Sequence, residues 1–134
     1  MEIQRVTPVL GAEILGVDLS KPLSNAEFEA VHDAFVTHSV LIFRNQDLSA
    51  QNMIDFSHRF GPLMIHVLKE SLLDGHPEIY KLSNRRTKGK SEGRAYAGQY
   101  WHSDLTYEPR PSLGSLLYGI EVPEVGGDTL FAST

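Results

Sequence analysis

Residues 100–107 read Tyr100-Trp101-His102-Ser103-Asp104-Leu105-Thr106-Tyr107, and their aromatic and β-branched side chains make the stretch strand-like. Upstream the pattern is helical. Leu23-Ser24-Asn25-Ala26-Glu27 announces a helix, because Ser24 can cap the free amides while Glu27, three residues on, reaches back to close a capping box. Phe28, Val31 and Phe35 follow at spacings of three and four, one apolar helical face, and His38 continues that stripe as a tolerated or capping histidine. Ser49 caps a second helix whose stripe is Met53, Phe56 and Phe60, with His58 off the stripe and Gly61-Pro62 stopping it. Ile3–Val9 and Ala12–Val17, separated by Gly11, read as an opening pair of strands, and Val40-Leu41-Ile42-Phe43 as a buried one. A further strand is expected at Glu78–Leu82, followed by a polar, glycine-containing stretch from Asn84 to Gly98. Beyond Tyr107, strand-like residues resume at Gly114–Ile120, and Gly126-Gly127-Asp128 turns into Thr129-Leu130-Phe131. Helices early and strands late predict an α+β fold with a mainly antiparallel sheet.

Composition narrows the function. The chain has 134 residues, 41% hydrophobic and 22% charged, which is enough to bury a core in a globular protein. No apolar run approaches the roughly 18–20 residues that cross a bilayer, and Met1-Glu2-Ile3-Gln4-Arg5 is not a secretory leader. A cytoplasmic location is the expectation. A net charge of −5 argues against nucleic-acid and membrane-surface partners. Arg85, Arg86, Lys88, Lys90 and Arg94 run against that average, as a solvated loop or as an anion-attracting flap. Without interleaved aromatics they are a poor nucleic-acid surface. There is no cysteine, so a metal here must be held by His, Asp or Glu.

Strand residues i and i+2 point to one face, so His102 and Asp104 would present an imidazole and a carboxylate side by side. Those are two corners of a 2-His-1-carboxylate facial triad, the ligand set of non-haem iron(II) oxygenases. Taken alone, an H-x-D triplet is by default a surface pair. Its surroundings change the weighting. Downstream comes Gly126-Gly127-Asp128-Thr129-Leu130-Phe131; upstream lie Phe60-Gly61-Pro62-Leu63-Met64-Ile65-His66 and Gly11-Ala12-Glu13-Ile14-Leu15-Gly16-Val17-Asp18-Leu19.

In that order the four motifs resemble the TauD/TfdA family of Fe(II)- and 2-oxoglutarate-dependent dioxygenases, from about Gly11 to Thr134. The resemblance implies that His102 and Asp104 are iron ligands. It implies that Thr129 donates a hydroxyl to the distal carboxylate of the cosubstrate 2-oxoglutarate, and that His66 lies at the anionic group of the substrate. The implied reaction consumes O₂, decarboxylates 2-oxoglutarate to succinate and CO₂, and hydroxylates a C–H bond of a small anionic organic molecule. A sulfonate, a sulfate ester or a carboxylate would suit. The implied fold is a double-stranded β-helix, the cupin-like jelly roll, present here in part with the N-terminal helices packed on its sheet.

The sequence departs from the family in two respects. The taurine enzyme has an asparagine four residues before its first iron ligand and a tyrosine three residues after its substrate histidine; here those positions are Gly98 and Lys69, which points away from taurine. The second iron-binding histidine and the arginine that meets the distal carboxylate belong to a C-terminal half that residues 1–134 do not include. The chain therefore reads as the N-terminal portion of such a dioxygenase domain. The alternative is a catalytically inactive truncated remnant serving as an interaction module. Either way, unpaired strand edges predict a homo-oligomer or a complementing C-terminal segment.

Overall fold

A computed structural model describes residues 1–95 and 97–133. Its residues fall into two compact units, one formed by residues 1–48 with the tail from 117 onward, the other by residues 49–116.

In the first unit, Gly11 adopts φ +90° and lets the chain double back, so that β1 (Glu2–Arg5) and β2 (Ala12–Leu15) pair antiparallel from Glu2↔Leu15 to Arg5↔Ala12. The Thr7 hydroxyl ties the connection, donating to the Leu10 carbonyl at 2.5 Å and accepting the Leu10 N–H at 3.1 Å. On its other edge β2 pairs in parallel with β3 (Leu41–Ile42), giving the order β1-β2-β3. Ala12 and Ile14 are buried where α1 (Asn25–His38) packs against β2 and β3.

The expected capping box is present at the start of α1. The Glu27 N–H donates to Ser24 Oγ at 3.3 Å, and the Ser24 N–H donates to Glu27 Oε2 at 2.8 Å. Two orphan amides are thereby satisfied. Val31 and Ala34 are buried, with Phe28, Phe35 and His38 half-buried beside them. Full burial of a side chain the size of Val31 stabilises by about 1.5–3 kcal/mol. The helix ends at Ser39, φ +65°, and the His38 carbonyl accepts the N–H groups of Gly11 and Val40, which ties the helix exit to the sheet.

Gln46 holds the rest of this unit together. Its Oε1 accepts the Leu19 N–H at 2.8 Å, and its Nε2 donates to the carbonyls of Val17 at 3.0 Å and Arg44 at 2.9 Å. Tyr118 reaches the same segment, accepting the Leu48 N–H and donating to the Gln46 carbonyl.

In the second unit, α2 (Ala50–His58) is capped by Ser49, and Asn52 rather than an acid closes the box. Ile54 and Phe56 are buried, Met53 and Phe60 half-buried and His58 exposed. The helix packs on β5 (His76–Tyr80), which pairs antiparallel with β4 (Leu72–Leu73) beyond a short 3-10 turn at Lys69–Ser71.

The polar stretch expected after residue 84 is a hairpin. Strands β6 (Arg86–Thr87) and β7 (Lys90–Ser91) flank Lys88 and Gly89, whose φ values of +50° and +79° are those of a type I′ turn. Its foot is fastened where Arg94 N–H donates to the Lys81 carbonyl at 3.0 Å and Ser83 N–H to the Arg94 carbonyl at 3.2 Å. A Cβ at Gly93 would come within 2.7 Å of that Lys81 oxygen, so only glycine fits.

Three expectations fail. Residues 100–107, 114–120 and 129–131 form no strand among the described residues. Aromatic and β-branched residues favour a pleated surface, but a strand exists only when a neighbouring backbone exchanges hydrogen bonds with it. None of the described residues offers these segments that exchange. The strand predicted at Glu78–Leu82 lies two residues earlier, and Val40–Phe43 contributes only a two-residue, half-buried strand. The described structure is thus mixed helix and small sheets.

Candidate functional site

His102 and Asp104 are close, but not for the reason a strand would supply. Residues 101–103 have no regular structure and 104–107 form a turn in which Leu105 takes φ +54°. The turn brings His102 Nε2 to 3.3 Å from Asp104 Oδ1, with both side chains about half exposed. On the far side of the ring, Nδ1 lies 2.7 Å from the Tyr100 carbonyl oxygen. A carbonyl only accepts, so Nδ1 carries a proton, and Nε2 is the ring atom that faces the carboxylate. Histidines that hold metals are oriented in this way.

The donor set suits one divalent cation. Metal–ligand bonds of about 2.1 Å meeting near a right angle place two donor atoms roughly 3 Å apart. The observed 3.3 Å needs little adjustment. Among the described residues no cluster of three or more His, Cys, Asp or Glu side chains is present, so the pair supplies two ligands without a third.

Gly98 borders the pair. A Cβ at this position, φ +75°, would lie 3.7 Å from His102 Cε1, an ordinary contact. The residue type at 98 therefore bears directly on the imidazole.

His66 and Tyr80 form a second feature of this unit. Their rings stack at a centroid distance of 4.3 Å with 26° between planes. His66 Nδ1 accepts the Leu68 N–H at 3.1 Å, which leaves the Nε2–H of the neutral ring free to donate. Tyr80 has a buried hydroxyl oxygen with no hydrogen-bond partner among the described residues. Sequence reasoning passed over Tyr80, which carries no signal beyond its place in a strand. Thr129 belongs to the other unit, exposed, two residues after the left-handed pair Gly126 and Gly127 at φ +80° and +75°. At Gly127 a Cβ would press to 3.0 Å from Pro123 Cγ, but residues 126–128 form no regular turn and no strand follows them, unlike the expectation.

The basic hairpin is partly self-neutralised. Glu92 receives the Thr87 hydroxyl and lies 3.8 Å from Arg85 Nε, whereas Arg86, Lys88 and Lys90 are exposed.

The chain as a whole is similar to known proteins. The family model described as "Taurine catabolism dioxygenase TauD, TfdA family" matches residues 2–134, and the chain belongs to that family. It is 34% identical over 135 residues to an alkylsulfatase from Acinetobacter baylyi, covering all of this chain and 40% of the relative. It is 32% identical to an alpha-ketoglutarate-dependent 2,4-dichlorophenoxyacetate dioxygenase from Cupriavidus pinatubonensis, covering 92% of this chain and 47% of the relative. Among solved structures, a taurine dioxygenase from Burkholderia xenovorans superposes with a TM-score of 0.57 at 32% identity, over 59% of this chain and 28% of that one. The chain spans less than half the length of the curated relatives it matches.

Proposed function

We propose that the chain is the N-terminal portion of an Fe(II)- and 2-oxoglutarate-dependent dioxygenase that hydroxylates a small anionic organic substrate. The observation that carries this reading is the His102 Nε2–Asp104 Oδ1 pair, with the ring oriented from behind by the Tyr100 carbonyl. It is supported by the names of relatives that act on a sulfonate, a sulfate ester and 2,4-dichlorophenoxyacetate.

In this reading His102 and Asp104 hold the iron, and O₂ and 2-oxoglutarate are the cosubstrates. Bound iron would supply the oxidising chemistry that links decarboxylation of 2-oxoglutarate to hydroxylation of a C–H bond. The chain's own work is positional. The Nδ1–H···O=C bond keeps His102 Nε2 available as a ligand. His66, with Nδ1 occupied by the Leu68 amide, offers Nε2–H to an anionic oxygen of the substrate. Thr129 offers a neutral donor to the distal carboxylate of 2-oxoglutarate. A second histidine ligand and an arginine for that carboxylate would come from a C-terminal half, which would also complete the jelly roll. A cytoplasmic enzyme fits this reading, and no helix among the described residues is long and apolar enough to cross a membrane.

Anaerobic calorimetry with iron(II) tests the proposal. The expected result is weak binding that disappears in His102→Ala. No binding by the unsubstituted chain would refute the ligand assignment, and tight one-to-one binding would reveal a third ligand, such as one from a second copy.

A second reading, a catalytically inactive module that works by association, is favoured by one observation. Leu113, Leu117, Ile120, Val122, Val125 and Leu130 are all more than 60% exposed.

A further inference from the structure

We infer that Ser115 is a positioning residue for the metal site, fixing Asp104 so that only one of its two carboxylate oxygens is offered to the ion. The inference rests on the reading of His102 and Asp104 as ligands and adds a residue to it.

Ser115 Oγ donates to Asp104 Oδ2 at 2.6 Å, a short bond to a charged acceptor from a segment eleven residues further along the chain. The other oxygen, Oδ1, is the one that faces His102 Nε2 at 3.3 Å. Each member of the pair thus has one atom engaged by a neighbouring group and one turned inward. For His102 the engaged atom is Nδ1, held by the Tyr100 carbonyl; for Asp104 it is Oδ2, held by Ser115. A carboxylate with one oxygen engaged in this way binds a cation through the other, monodentately, and leaves more of the coordination sphere open.

Asp104 needs such help. It sits in a turn, about half exposed, followed by a residue in the left-handed region, and no strand ladder stiffens its backbone. An exposed aspartate turns freely about its side-chain bonds, and each orientation that faces Oδ2 or neither oxygen towards His102 lowers the population competent to bind. Ser115 selects the competent one. Hydrogen bonds from outside the coordination sphere typically change metal affinity by about 10–100-fold.

The test uses the full 134-residue chain and manganese(II) as an air-stable probe, with two measurements. In the metal-free protein near neutral pH, the carbon-13 shift of the Asp104 side-chain carboxyl reports the hydroxyl donor. It should move in Ser115→Ala and stay in place in Ser115→Thr, which restores the hydroxyl. In calorimetry, Ser115→Ala should bind manganese about 10–100-fold more weakly than the unsubstituted chain, and Ser115→Thr within a few-fold of it. Superimposable circular dichroism of the three proteins keeps the comparison to the site, since Ser115 is exposed and fills no core. Equal affinity of the alanine variant and the unsubstituted chain would overturn the inference. So would an Asp104 carboxyl shift that does not respond to the alanine substitution. Failure of the unsubstituted chain to bind metal would strike the ligand assignment itself, and the carboxyl shift would still decide whether Ser115 orients Asp104.

Discussion

A buried hydroxyl without a partner is uncommon, and Tyr80 carries one. Its ring is well used, stacked on His66 and placed on β5 where α2 packs. Its oxygen gives up hydration and receives nothing in return from the described residues. Removing the hydroxyl while keeping the ring should therefore leave stability unchanged or raise it by up to about 1–3 kcal/mol, the cost of an unsatisfied buried group. Tyr80→Phe is expected to unfold at the same or higher urea concentration than the unsubstituted chain. A clear loss of stability would mean that the oxygen has a partner after all. Gln46 presents the opposite case. Both ends of its amide are occupied, by the Leu19 amide on one side and the Val17 and Arg44 carbonyls on the other, so its polarity is satisfied where it stands.

The turn after β2 shows what charge contributes at the level of an element. Asp18 Oδ1 accepts from the backbone N–H and the hydroxyl of Ser20, its Oδ2 lies 2.8 Å from Lys21 Nζ, and Lys21 N–H returns to the Asp18 carbonyl. The Lys21 ammonium, followed by the Ser20 donors, holds the Asp18 carboxyl down from its ordinary 3.8 to about 2. The acid is therefore a stronger one in the folded chain. Its contribution to the turn is fully present above pH 3.8 and is lost as pH falls through the folded value near 2. A side-chain titration followed by nuclear magnetic resonance should find the Asp18 midpoint near 2, returning towards 3.8 in Lys21→Ala. A midpoint at the ordinary value in the unsubstituted chain would show that the turn does not form in solution. Because the groups are exposed, added salt should weaken the shift. Glu27 behaves in the same sense, its carboxylate held below the ordinary range by the Ser24 hydroxyl and amide that make up the helix cap.

At the scale of the whole molecule, apolar exposure dominates. Among the described residues the buried core is small, with Ala12, Ile14, Val31, Ile54 and Phe56 in it, while Ile120 is 84% and Val125 89% exposed. Burying apolar surface gains roughly 25 cal/mol per Å², so a row of such side chains in water favours association. The outer edge of β1, exposed along its length and without a strand partner among the described residues, offers backbone for β-addition. The isolated chain is expected to self-associate with rising concentration in light scattering coupled to size exclusion, and Ile120→Lys with Val125→Lys should reduce that association. A well-dispersed monomer with cooperative thermal unfolding at every concentration would contradict it.

What could be read from the sequence was local. Ser24 with Glu27, Ser49 with the stripe behind it, and Gly11 between two β-rich segments act through neighbours a few residues away: both helices start at the expected caps, although α2 ends at His58 before Phe60, and the opening strands pair over only Glu2–Arg5 and Ala12–Leu15. The family could also be read, from four motifs in order along the chain, and a family model matches residues 2–134. What only the tertiary structure decided was non-local. Residues 100–107 have the composition of a strand but no pairing partner among the described residues, so a turn rather than a pleat brings His102 to Asp104. Ser115, Gln46, Tyr80 and Tyr118 gained their roles from groups that approach across many residues of chain. No spacing rule encodes such an approach, because a strand, or a hydrogen bond across eleven or seventy residues, depends on where another part of the backbone lies.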